Sequence, residues 1–138
     1  MVNKSKNIGT KFESQMVNFL RANGFEKAKR EVLHGSIDEG DVFPCEGLMF
    51  ECKAGAQAEN ASDEQLRKWC LETETERINA RVKVGVLVVK RKAHGVTKMG
   101  GSWVVQNDAG MLTRFRLDEY LVFLKRLGYT ANGFVGSN

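Results

Sequence analysis

The sequence predicts an α/β domain, a small mixed β-sheet flanked by helices in the order α-β-β-β-α-β-β-α. Three observations carry this. The segment "VKVGVLVV", Val82 to Val89, is apolar on both faces, as a strand covered from two sides must be. Two helical stretches, Thr10 to about Asn23 and Leu117 to Leu127, each run into a glycine, Gly24 and Gly128, suited to a helix C-terminus. Between them, "GDVFPCEGLMFECK", residues 40–53, reads as two short strands around a turn.

In chain order, residues 1–9 read as a flexible basic arm. The first helix carries Phe12, Met16, Phe19 and Leu20 at helical spacing, with Val17 beside them. "EKAKREVL", residues 26–33, reads as a strand of poor alternation, and "HGSIDEG" as a loop. After the 40–53 hairpin, "AGAQAENA" is a second loop. Ser62-Asp63-Glu64-Gln65 is a capping box opening a helix with Leu66, Trp69, Cys70 and Thr73 on one stripe. "KRKAHGVTKMGG" is a basic loop, "SWVVQ" a strand and Asn107 to Gly110 a turn. The tail 129–138 reads as loose, which leaves one domain over residues 10–128.

The chain has 138 residues, enough for one packed core. No apolar run approaches the ~20 residues of a membrane helix. The three cysteines form no CxxC pair, so neither a disulfide framework nor a zinc site is expected, and a cytoplasmic setting is the default. Charge is segregated. Residues 1–30 hold seven Lys/Arg against two Asp/Glu, residues 31–80 four against twelve, and residues 81–138 ten against three. An acidic middle between basic ends suits a metal-dependent enzyme acting on a polyanion, and is equally what ordinary solvated charge can produce.

In the strand Leu48–Lys53, alternation separates Leu48, Phe50 and Cys52 from Met49, Glu51 and Lys53. The first set is a core face, with Cys52 a packing residue. The second places Glu51 beside Lys53. Asp41 joins them or not according to the turn. A four-residue turn Pro44–Gly47 sends Asp41 to the core face. A three-residue loop Pro44–Glu46, or a bulge, brings it to the Glu51 face. On the first helix, with Phe12 set at 0°, Glu13 falls at about 100°, inside the apolar arc. It either pairs with a Lys or Arg or points into a site with Asp41 and Glu51. Three carboxylates in one pocket repel, and a divalent cation reverses that. Oxygen ligands suit Mg²⁺, with Mn²⁺ as substitute. His34 and His94 form no cluster. Lys53 beside such an ion would stabilise charge on a phosphate.

At these residues the chain resembles the PD-(D/E)xK nuclease superfamily: Asp41, then Glu51-Cys52-Lys53, with Glu13 on a preceding helix and "GD" where the superfamily name has "PD". Within it, the chain is most similar to the archaeal-type and phage Holliday junction resolvases. That likeness rests on the basic arm, "GTKFESQMVNFLRANGF", the "R-x-V-L-H-G-S" segment, "GDV", "FECK" and the valine-rich strand, about residues 8–91. The resemblance implies a restriction-endonuclease-like core and metal-dependent hydrolysis of DNA phosphodiesters that leaves a 5′-phosphate. It implies Asp41 and Glu51 as metal ligands with the Cys52 backbone carbonyl as a further one, Lys53 as the catalytic lysine, and Glu13 as the helix glutamate that orients metal or water. Ser36 matches a serine often found in the equivalent loop. Gln65 sits where some nucleases place a helix glutamine, though capping explains it.

DNA would be held through phosphates, with Lys4, Lys6, Lys11, Arg30, Lys90, Arg91, Lys92 and Lys98 as candidates. Two symmetric cuts imply a twofold homodimer. The last helix is apolar nearly all round, which fits deep burial or an interface. Two other readings stand beside junction resolution: a flap, end-directed or restriction-type nuclease, and a DNA-binding module with an inactive site.

Overall fold

The computed structural model describes residues 4–31, 41–91 and 99–135. It is a mixed α/β fold around one six-stranded sheet. Helix α1 (Lys4–Ala22) leads to β1 (Lys29–Glu31), β2 (Asp41–Cys45) and β3 (Leu48–Lys53). A single turn of helix, α2 (Ala56–Glu59), and the longer α3 (Asp63–Ala80) then cross to β4 (Val84–Val89). Strands β5 (Trp103–Asp108) and β6 (Met111–Arg116), helix α4 (Leu117–Leu127) and a small hairpin, β7 (Tyr129–Thr130) with β8 (Gly133–Phe134), complete the chain. The sheet order follows the sequence, β1 to β6. All pairs are antiparallel except β3–β4, which α3 joins as a parallel crossover.

The sheet is covered on both sides, and β4 shows why its sequence is apolar throughout. Val86 and Val88 join the core formed with Phe12, Met16 and Leu20 of α1 and Leu121 and Leu124 of α4. Leu87 and Val89 face the other way, packing with Leu66 and Trp69 of α3. Helix α3 begins where its sequence says it should: Ser62 Oγ accepts the Gln65 N–H at 3.1 Å. Arg81, in the left-handed region, ends it. Gly85 lets α3 lie close, since a Cβ there would come within 3.0 Å of Arg77 Cβ.

Several elements depart from expectation. Helix α1 starts at Lys4, so most of the expected arm is helical. The stretch read as a loop at 54–61 contains α2, and β6 was not anticipated. Ala109 and Gly110, both at positive φ, make the tight two-residue turn that lets β6 fold back on β5. The tail is also ordered through residue 135. Lys27 Nζ donates to Asn132 Oδ1 at 2.5 Å, the Tyr129 and Phe134 rings meet at 5.1 Å, and Gly133 lies against Glu46.

The hairpin β2–β3 departs most usefully. Its turn is only Glu46-Gly47, with Cys45 opposite Leu48 and Gly47 at a φ of 86°. Further on, Val42 stands opposite Phe50, so the register slips by one residue between Val42 and Cys45. Phe43 and Pro44 together oppose the single Met49, which is a β-bulge. Pro44 has no N–H to give a ladder, so a bulge is a position where it costs little. The slip explains how Val42 and Cys45, three residues apart, both enter the α1 core.

Among the described residues, no helix is long and apolar enough to cross a membrane.

Candidate functional site

With the register reset by the bulge, Asp41 falls opposite Glu51 and shares its face of the sheet. The four-residue turn would have turned it into the core. Asp41 and Glu51 are 5% and 6% exposed. A third carboxylate joins them from α3: one oxygen each of Asp41, Glu51 and Glu76 lies within 4.8 Å of the others. Glu76 was not singled out from sequence, although the signal was there. Leu66, Trp69 and Thr73 form the buried stripe of α3, and at about 100° per residue Glu76 falls about 20° from Trp69. The test that marks Glu13 on α1 marks Glu76 on α3.

Glu13 lies on the other side of the sheet. Arg30 stands opposite Val42 and so shares the α1 face. There its guanidinium pairs with the buried Glu13 carboxylate. Glu13 is therefore held in an ion pair and is not one of the three converging carboxylates. Arg30, expected on DNA, is the partner that makes burial of Glu13 affordable.

Lys53 completes the Glu51 face. Its Nζ lies 3.8 Å from Glu51 Oε1 and 5.5 Å from the centroid of the Trp69 ring, where the aromatic face favours a cation. The two contacts hold the ammonium beside the carboxylates. Cys52 between them points into the α1 core. Burial pushes its thiol well above the usual range, and the charges of Glu51, Glu13 and Asp41 push it the same way. A neutral buried thiol packs and does not react.

The remaining candidates divide by position. Lys11 is exposed on α1. The Lys90 N–H donates to the Lys53 carbonyl at 2.8 Å, tying the end of β4 to the end of β3. Arg91 is exposed and its guanidinium carbon lies over the Trp103 ring, 4.9 Å from the centroid. Gln65 supplies its backbone N–H to the cap of α3. Ser36, Lys92 and Lys98 lie outside the described residues, as do the side chains of Lys4 and Lys6.

No protein-family model, no curated protein and no solved structure matches this chain.

The site thus stands on its own geometry. Three carboxylates from β2, β3 and α3 converge with a fixed ammonium at one end of the sheet. Their oxygens are the donor set of a hard divalent cation, and two of the three are buried, where mutual repulsion is greatest without one.

Proposed function

We propose that this chain is a Mg²⁺-dependent, structure-selective DNA endonuclease that hydrolyses phosphodiesters and resolves four-way junctions as a homodimer. The observation that carries the proposal is the convergence of Asp41 and Glu51 with a third carboxylate, on the same face as Lys53. The motif resemblance required this pairing, and the bulge at Pro44 supplies it. The helix–strand–strand–strand–helix–strand order before the basic end supports a restriction-endonuclease-like core.

Asp41, Glu51 and Glu76 would hold the ion, with the Cys52 carbonyl available as a further ligand. When bound, Mg²⁺ or Mn²⁺ supplies Lewis-acid polarisation of the phosphate and lowers the pKa of a water. The protein's own groups do the rest. The carboxylates would hold the ion at a fixed position relative to β3. Lys53, held by Glu51 and Trp69, donates to a phosphate oxygen and offsets its negative charge. The Glu13–Arg30 pair braces β1 against α1 beneath the site.

Two features support DNA and a second copy as partners. The segments before and after the acidic middle are basic. Helix α4 buries Leu117, Tyr120, Leu121 and Leu124 but exposes Val122, Phe123 and Leu127, an apolar strip of the kind a subunit contact covers.

The test is cleavage of an end-labelled four-way junction with Mg²⁺, beside linear duplex and flap controls. Paired symmetric nicks in opposing arms are expected. Cutting of linear duplex or flaps alone would point to another nuclease of the superfamily. Binding without metal-dependent cutting, unchanged in Asp41→Ala, would mark a DNA-binding module.

A further inference from the structure

The row of residues beside Lys53 continues across the sheet. Lys53 of β3 stands opposite Val89 of β4, Val89 opposite Trp103 of β5, and Trp103 opposite Arg116 of β6. Cross-strand partners share a face, so Lys53 and Trp103 look the same way. Both tryptophans of the chain lie on this face, and each carries a cation: Trp69 holds Lys53 and Trp103 holds Arg91.

The cations differ in what else they touch. Lys53 has Glu51 at 3.8 Å. Arg116 is committed to Asp118, with two hydrogen bonds at 3.1 and 2.8 Å. Arg91 is exposed and, among the described residues, has no carboxylate partner. Its guanidinium is oriented by the indole but not neutralised. A planar five-donor fork held in that way matches a phosphate.

Its position is also fixed relative to the site. The Lys90 N–H to Lys53 carbonyl bond locks the residue preceding Arg91 to Lys53 itself. Trp103 lies two strands from Lys53, about 10 Å away at ordinary strand spacing. A DNA strand carries one phosphate per nucleotide, so a strand that spans this gap places a phosphate near Arg91 within a few nucleotides of the carboxylates.

We infer that Arg91, held over the Trp103 ring, grips a phosphate of the same DNA strand that reaches the carboxylates, within a few nucleotides of the bond that is cut. This rests on the nuclease reading and adds to it a direction: the strand crosses the sheet from β3 toward β5. Trp103 acts as a positioning residue through Arg91.

The test is fluorescence anisotropy of a dye-labelled four-way junction and a matched linear duplex, over a series of NaCl concentrations in EDTA. Arg91→Ala is expected to weaken binding to both, and to reduce the slope of log K against log salt by about 0.9, one phosphate contact. Trp103→Leu keeps apolar bulk in the core but removes the ring. It should weaken binding in the same direction, and Arg91→Ala in that background should add little. Wild-type binding that Arg91→Ala leaves unchanged in affinity and slope overturns this inference alone. Fully additive effects of the two substitutions overturn the role given to Trp103. Failure of the wild-type chain to bind either DNA overturns the nuclease reading, and this inference with it.

Discussion

Asp41 and Glu51 share a face of the sheet because the bulge at Phe43-Pro44 absorbs one residue of β2. Without the bulge, the β2–β3 turn would place Asp41 opposite Cys52, in the α1 core. Deleting Pro44 removes the extra residue together with the bulge, and plain pairing from the Glu46-Gly47 turn still sets Asp41 opposite Glu51, so Mn²⁺ binding by titration calorimetry should survive. Inserting one alanine between Asp41 and Val42 adds an offset that no bulge absorbs and turns Asp41 to the core face. The expected result is loss of Mn²⁺ binding, with the far-ultraviolet circular dichroism of the fold retained. Undiminished Mn²⁺ affinity in the insertion would count against this register as the device that builds the site.

The two buried or partly buried glutamates brought by helices should behave differently. Glu76→Gln removes a candidate ligand and relieves repulsion. It should leave the apo protein as stable or more so, abolish the rise in melting temperature given by Mn²⁺, and slow cutting by about 10²-fold. Glu13→Gln strands the partly buried Arg30 charge and should lower stability by about 1–2 kcal/mol, without erasing the Mn²⁺ shift. Parallel thermal melts with and without Mn²⁺ separate the two roles.

Glu51→Gln and Lys53→Ala should both abolish junction cutting while leaving junction binding in EDTA near wild type. Cutting at the wild-type rate by either variant would show that the chemistry lies elsewhere. Trp69 gives a subtler version of the same test. Trp69→Phe keeps an aromatic face for Lys53, whereas Trp69→Leu does not. The leucine variant should lose roughly tenfold in kcat at little change in KM, a loss that the phenylalanine variant largely recovers.

Burial raises the Cys45 thiol to about 11, with Glu46 adding to the shift and a hydrogen bond from Gly133 opposing it. The folded state therefore keeps this proton over a range where the unfolded chain, with an ordinary thiol near 9.0, loses it. The unfolded chain then binds fewer protons, so stability falls as pH rises from about 9 to about 11 and is unaffected below that window. Melting temperature measured across pH 8–11 should decline more steeply in wild type than in Cys45→Ala.

Much of this was legible in the sequence, and the exceptions share a cause. The alternation in β3, the doubly buried β4, the Ser62 cap and the helix α4 closed by Gly128 are local patterns, and each is present as read. The bulge is not local. Pro44 and Gly47 suggest a turn, but the register depends on which residues of β3 they oppose, and both an odd and an even offset were compatible with the letters. Glu76 was not singled out: Glu72, Glu74 and Glu76 alternate in one acidic stretch, and only the stripe through Trp69 sets the last apart. Strand β6, "MLTRFR", is an edge strand with much of its surface in solvent, so it lacks a clean apolar alternation. The hairpin β7–β8 is held by contacts to Glu46 and Lys27, far away in the chain.

Helix α3 is at once the crossover between β3 and β4 and the carrier of Glu76. Parallel pairing through a long crossover is a slow, late step for a chain, because loop entropy must be overcome before any contact rewards it. The three carboxylates therefore meet only when that step is complete, and their repulsion bears on the finished structure more than on the barrier leading to it. An ion that binds them should act mainly by slowing unfolding, leaving the folding arm of a chevron plot nearly where it was.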